Sequence, residues 1–360
     1  MNTSFQDIFF PFRNNSLDND TLDMNQEQDR SDKQEQFRIA QVVFLITSSV
    51  GILGNSVSIL ALRKLKKLRN PTITFVITLC VADLLFCIIT LINYSRPDWN
   101  RNHAFCILIT WAKFLVAGES FYLMIGITIN RYICVIYPKY YRLIYRKKYL
   151  ILQITLTWMY SFINSLLPFF GVVGRYGYDS ESGFCILLRQ YGITVTTFFF
   201  IHYFAFPTMV FAICYSRIFW VTRKTSRRVR KQSNFFVTSE GLNASATSRE
   251  SRITIDDFPD RVDDKEMKIL KVTLVIFLAF LICYFPISLI KFYDSKAKIP
   301  TLTFLSHLGL NLSNVINPII YVVMCAEFRK AYFELFTCKQ VRLKLSTSSN
   351  EATYSNAAAS

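Results

Sequence analysis

An ionisable side chain inside a long apolar run is costly to hold there, so it marks a place where something is done. In this chain the informative polar set is small: Asn55, Asp83, Lys113, Glu119, Arg131, His202, Glu266 and His307. No nucleophile, base and orienting group converge at recognisable spacing, so the set points to binding and switching and away from an enzyme. Asp83, in LCVADLL, has no basic residue one turn away and needs partners from other segments, or a cation. Asn55, Ser120, Asn314 and Asn317 are the candidate partners. One carboxylate among neutral oxygens suits a hard cation such as sodium, while a purely structural network around a neutral Asp83 accommodates the same residues. Arg131, in ITINRYICVIYP, follows Asn130, an amide and not an acid, so its counter-charge must be sought elsewhere. Lys113 lies seven residues after Cys106, about two helical turns, so both face the same interior. Its ammonium suits an anionic ligand group, carboxylate or phosphate, with Arg175, Arg189, His202 and His307 as helpers. Pairing with an internal acid, or snorkelling outward, satisfies the same lysine. The two histidines, taken alone, read as hydrogen-bonded structural residues.

The elements that position these residues follow from composition. The chain has 360 residues, 52% hydrophobic and only 18% charged, too apolar for an ordinary soluble domain. Runs near or above the roughly 20 residues that cross a bilayer recur at 39–62, 72–94, 104–136, 149–171, 191–221, 267–290 and 301–324. Backbone polar groups in lipid must be satisfied within a segment, so these predict an all-α membrane protein, a seven-transmembrane helix bundle. Lys and Arg crowd the connections after the first, third and fifth runs, which places those loops in the cytoplasm, the N-terminus outside and the C-terminus inside. The net charge of +16 then reads as topology and attraction to anionic membrane lipid, not as nucleic-acid binding.

Residues 1–36 read as a disordered extracellular tail with glycosylation patterns at Asn2, Asn14 and Asn19. Its start, MNTSFQDIFF, lacks a signal-peptide pattern, so the first helix is expected to direct insertion itself. Of nine cysteines most fall in the spans as packing residues; Cys106 and Cys185 are the two expected outside, and they predict a disulfide across the outer mouth. Residues 223–264 read as a flexible third cytoplasmic loop, whose sequon at Asn243 would stay bare, and 326–336 as an amphipathic eighth helix along the inner surface. Beyond it lie Cys338, either S-acylated or a free surface thiol, and a disordered, phosphorylatable tail, 338–360. Pro168, Pro207, Pro286 and Pro318 interrupt their helices and supply hinges.

Gly54–Asn55, LCVADLL, Cys106, NRY at 130–132, Trp158, Pro207 with Tyr215, FLICYFP and NPIIY, each on the appropriate helix, resemble the rhodopsin-like class of G-protein-coupled receptors over about 37–337. Within the class, KLRNPT, NRY and CYFPISLIKFYD are similar to the branch of moody, trapped-in-endoderm and melatonin receptors. The resemblance implies a plasma-membrane receptor for an extracellular ligand, with a heterotrimeric G protein, arrestin and receptor kinases as partners. It gives Asn130, Arg131, Tyr132, Tyr215, Glu266, Asn317, Pro318 and Tyr321 to coupling and switching, and Phe121, Pro207, Phe280, Tyr284 and Pro286 to an activation relay. Asp83, Ser120, Asn314 and Asn317 match the class's sodium pocket. Glu266, twenty residues before Pro286, stands where the class places the acid that latches Arg131 to the sixth helix. Three positions depart from the pattern: Asn130 replaces the usual acid, Tyr284 the usual tryptophan, and Ser313–Asn314 inverts the usual order.

Amine receptors of the class carry an aspartate where Lys113 stands, so a cationic amine is disfavoured by charge repulsion. The position of the opsin Schiff-base lysine is Asn311, which excludes a covalent retinal chromophore there. The function expected is a G-protein-coupled receptor for an anionic lipid or acidic small molecule, with a peptide-ligand receptor or a non-signalling decoy as alternatives. A transporter or channel would need inverted repeats or a chain of membrane carboxylates, and neither is visible.

Overall fold

The computed structural model describes residues 15–64, 71–179, 184–188, 197, 198, 200–240, 264–293, 300–326 and 328–335. Among them, seven stretches are long and apolar enough to cross a membrane: Phe37–Arg63, Pro71–Ser95, His103–Ile136, Lys147–Phe170, Ile201–Lys224, Met267–Ser288 and Phe304–Met324. They are called helices one to seven below. Helix three is central, packing on helices two, four and five, while helix seven closes the ring between six and one. The outward faces carry exposed Leu53, Ile282 and Val323, and the interior holds Arg131, Asp83, Asn55 and Asn317. That arrangement, apolar outside and polar within, fits hydrocarbon as the solvent.

Several boundaries differ from the expectation. The helix that contains the first span begins at Asn15, so 15–36 are helical where the composition suggested an unstructured tail. The fifth continues to Glu240, so 223–240 extend it and are not flexible loop; Lys and Arg are good helix formers that carry it past the apolar run. Helix six is preceded by Asp264–Glu266 and runs to Tyr293. The fourth ends at Leu166 and tightens into a 3-10 turn, Leu167–Phe170, because Pro168 has no N–H to continue it. Gly171, at φ 68°, closes the turn in a left-handed conformation other residues resist. On the fifth, Ile201–Ala205 form a π turn directly before Pro207, a common response to a missing backbone donor. Helix seven gives way to a short helix at 328–335, whose Arg329 donates to the carbonyls of Val322 (3.1 Å) and Val323 (2.9 Å). Those are carbonyls a helix end otherwise leaves unpaired.

Between the fourth and fifth spans, β1 (Arg175–Asp179) and β2 (Phe184–Leu188) pair antiparallel, with Tyr178 opposite Cys185. Cys106 and Cys185 are disulfide-bonded, their Cα atoms 5.4 Å apart across 79 residues of sequence. Tyr176 donates to the Ser165 carbonyl (2.8 Å), and Phe184 stacks on Phe37 at 4.6 Å and meets Tyr94 at 4.8 Å. The hairpin is thereby fixed over one end of the bundle from three sides. Such a hairpin was not among the elements expected of this chain.

Candidate functional site

At the end opposite the hairpin, Arg131 is 1% exposed, and its guanidinium bonds to neutral groups of three elements. Asn130 Oδ1 accepts from its Nε (3.3 Å) and Nη2 (3.0 Å). Nη2 also donates to Thr72 of helix two and to the Tyr141 hydroxyl (3.4 Å) on the loop helix Pro138–Ile144. Thr72 in turn donates to Asn130 Oδ1 at 2.7 Å, which closes the group. Burial pushes the Tyr141 phenol above its ordinary value while the Arg131 charge opposes it, so Tyr141 offers a neutral hydroxyl and not a phenolate. Asn130 thus supplies an acceptor where the resemblance led one to expect an acid, but no charge. Glu266 lies on the helix of the sixth span; its side chain is outside the described residues, as are Arg189, Cys338 and the side chains of the three sequon asparagines. Tyr132 packs edge-on against Tyr137, ring centres 5.9 Å apart.

Toward the middle, Asp83 accepts from Ser120 (2.9 Å) on one oxygen and from Asn317 (2.8 Å) on the other. Helices two, three and seven therefore meet at one carboxylate, and three of the four residues of the candidate cation site come together. Asn314 does so less directly: its amide donates to Leu310 (2.9 Å) and Ser313 (3.2 Å), and its backbone carbonyl receives Asn55 (3.0 Å). The oxygens of Asp83, Ser120 and Asn317 are a donor set that fits sodium. Glu119 is 0% exposed and accepts from Thr157 (2.9 Å), joining helices three and four at a second carboxylate.

The relay residues form one aromatic stack. Phe121 meets Phe280 at 5.0 Å and Tyr203 at 5.3 Å, and Phe280 stacks on Tyr284 at 3.9 Å. Beneath it lies a void of about 10 Å³ lined by Phe121, Pro207, Phe211, Phe277 and Phe280, a local packing defect beside the proline of helix five. Tyr215 shares a hydrogen with Thr273 of helix six at 2.7 Å, whereas the buried Tyr321 hydroxyl has no hydrogen-bond partner among the described residues. Tyr321 stacks instead on Phe328 of the short helix at 5.2 Å. Pro286 and Pro318 stand inside helices six and seven.

At the hairpin end Lys113 is partly buried, its Nζ 5.7 Å from the centre of Phe86 and 5.4 Å from that of Tyr94. Two ring faces attract an ammonium but accept no strong hydrogen bond. His202 bonds to the Phe198 carbonyl (3.2 Å) and stacks on that ring, a local role; His307 is partly buried on helix seven. Arg175 is exposed on β1. Among the described residues, Lys113 thus meets Phe86 and Tyr94, while His202 is engaged with Phe198.

This geometry has relatives. Residues 54–321 match the family described as "7 transmembrane receptor (rhodopsin family)". The chain belongs to the rhodopsin family of seven-transmembrane receptors. It is therefore a multi-pass plasma-membrane receptor and not an enzyme. The receptor is 32% identical over 349 residues to the G-protein coupled receptor moody of Drosophila melanogaster, covering 85% of this chain and 52% of that protein. It thus spans about half the length of that relative. Protein trapped in endoderm-1 of Drosophila melanogaster is 29% identical, with 80% and 74% covered, and melatonin receptor type 1C of Xenopus laevis 25%, with 85% and 70% covered. Squid rhodopsin shares the fold at a TM-score of 0.66 and 20% identity, over 84% of this chain and 85% of that one. Thr72, Tyr141, Thr273, Phe86 and Tyr94 went unnoticed in the sequence. The spacing of Phe86, Thr90 and Tyr94 on one face of helix two was the available signal for the last pair.

Proposed function

We propose that the receptor, with its N-terminus outside, binds an acidic ligand at Lys113 and activates heterotrimeric G proteins as helix six swings outward. The observation that carries the ligand class is the setting of Lys113: among the described residues its ammonium has two ring faces for company and no carboxylate. Even a partly buried cation gains from a counter-ion, and an anion from solution supplies one. A cationic amine would meet the like charge at close range.

At the other end, release of Arg131 from Asn130, Thr72 and Tyr141 opens the face that the G protein reads, with Glu266 as the acid that restrains Arg131 in the resting state. Tyr215 leaves Thr273 when helix six moves, and the stack of Phe121, Phe280 and Tyr284 carries ligand occupancy to that movement. Asp83, Ser120 and Asn317, with Asn314 beside them, hold a sodium ion at rest, which would balance the carboxylate charge. Arrestin and receptor kinases act on the cytoplasmic face. The test is nucleotide exchange in cells across a panel of G proteins, for intact receptor and Arg131→Ala, with candidate lipids and acidic metabolites. Stimulated exchange that requires Arg131 is expected; its absence under every condition ends this reading.

A further inference from the structure

The chain between helices three and four carries five cations within ten residues: Lys139, Arg142, Arg146, Lys147 and Lys148. No acid lies among them. All five are exposed, and among the described residues none pairs with a carboxylate or rests on a ring. Lys147 and Lys148 also open helix four, behind Arg146 and without an acid in the first turn or a side chain that caps its first N–H groups. Cations there share the positive end of the helix dipole, a repulsion that an anion placed among them turns into attraction.

Helix four fixes the depth of this cluster. Ile151, Leu152 and Leu156 are exposed, so their face meets hydrocarbon in a bilayer. Lys147 stands four residues before Ile151 and Lys148 four before Leu152, so each lies on that face one turn, about 6 Å, nearer the end of the bundle. That is the level of lipid headgroups. On the loop helix Pro138–Ile144, Lys139 and Arg142 share the exposed surface with Tyr140 and Leu143. Gln153 of helix four donates to the Ile144 carbonyl (3.3 Å) and so holds the loop helix beside the start of helix four. Helix five offers a contrast. Its Arg223 and Lys224 also follow an apolar run, but each lies over a ring four residues earlier, Phe219 at 4.1 Å and Trp220 at 4.8 Å. Those two cations have partners within the chain, and the five beside helix four face outward.

We infer that the loop helix and the start of helix four form a docking surface for a membrane lipid whose headgroup carries several phosphate charges, a phosphoinositide. This rests on the orientation proposed above, which turns this end toward the cytoplasmic leaflet. Clusters of Lys and Arg directly inside a span recognise such headgroups. The acyl chains lie along Ile151, Leu152 and Leu156, and the phosphates meet Lys147, Lys148 and the cations of the loop helix. A headgroup with one net charge, such as phosphatidylserine, leaves most of the five unmatched. Tyr141 of the same loop helix bonds Arg131 (3.4 Å), so the bound lipid borders the switch.

The probes are fluorescent phosphatidylinositol bisphosphate and phosphatidylserine, titrated onto the purified full-length receptor in detergent and read by anisotropy, with inositol trisphosphate as a chain-free competitor. The bisphosphate lipid is expected to bind about tenfold more tightly than phosphatidylserine, and the free headgroup to compete weakly. Each Lys or Arg near an anionic headgroup is worth about fivefold, so Lys147→Gln with Lys148→Gln, or Lys139→Gln with Arg142→Gln, should weaken the bisphosphate lipid about twentyfold. Lys147→Arg with Lys148→Arg keeps the charge and should keep the binding. Arg223→Gln with Lys224→Gln should leave it in place. Unfolding midpoints without lipid report that the variants fold, and the comparison of lipids on the unaltered receptor decides even where one does not. Equal affinity for the two lipids, no binding, a free headgroup that competes as well as the lipid, or equal losses from the loop and helix-five variants overturns the inference. Purified protein reads the surface apart from orientation in the cell, so any of these results leaves the receptor reading standing.

Discussion

Among the described residues, Arg131 and Lys113 place cations inside this bundle, and they are held differently. The partners of Arg131 in the described residues include the neutral oxygens of Asn130, Thr72 and Tyr141. Lys113 has two aromatic faces. A guanidinium satisfied by its own protein is a set catch, released when a better partner arrives. An ammonium resting on rings keeps its hydrogen-bonding capacity for something from outside. The same physics, the cost of a buried charge, thus marks a switch at one end and a receptor site at the other.

The comparison can be broken first through the disulfide that shapes the lysine end. Cys106→Ser with Cys185→Ser should cost about 2–5 kcal/mol and remove ligand response, read as surface expression and as exchange; normal response would mean that the hairpin does not define the site. Next, the two cations should answer oppositely to loss of charge. Arg131→Met strands Thr72 and Asn130 and should destabilise the purified receptor by about 1–3 kcal/mol. Lys113→Met should raise the midpoint of the ligand-free receptor by roughly 2–4 °C, while weakening an acidic agonist about tenfold. Changes of the same sign would erase the contrast.

Smaller effects sharpen the inner end. Glu266→Ala should raise basal exchange more than Asn130→Ala, because an ion pair carries charge on both partners; the reverse order would give the resting restraint to the neutral group alone. Tyr215→Phe removes one hydrogen bond to Thr273 and should shift agonist potency by up to about tenfold, measured as a dose-response curve. An unchanged curve would take Tyr215 out of the switch.

Much of the bundle was legible because membrane spans announce themselves by length and apolarity, and because Asp83, Arg131 and Lys113 stand out against such a background. The disulfide followed from which cysteines lie outside the spans. The helical extensions at 15–36 and 223–240 were missed because polar composition says little about whether a chain continues a helix already nucleated. The hairpin was missed because its strands are five residues each and do not alternate cleanly in burial.

The sequence by itself determined the seven spans, their family and the identity of the buried charges, since these depend on residue type and on runs of neighbours. What surrounds each charge was decided only by the tertiary structure. Thr72 is 59 residues from Arg131, and Asn317 is 234 from Asp83. Whether a buried cation meets an amide or a ring is settled by how helices rotate against one another, and that rotation comes from packing summed over the whole interface rather than from any one segment.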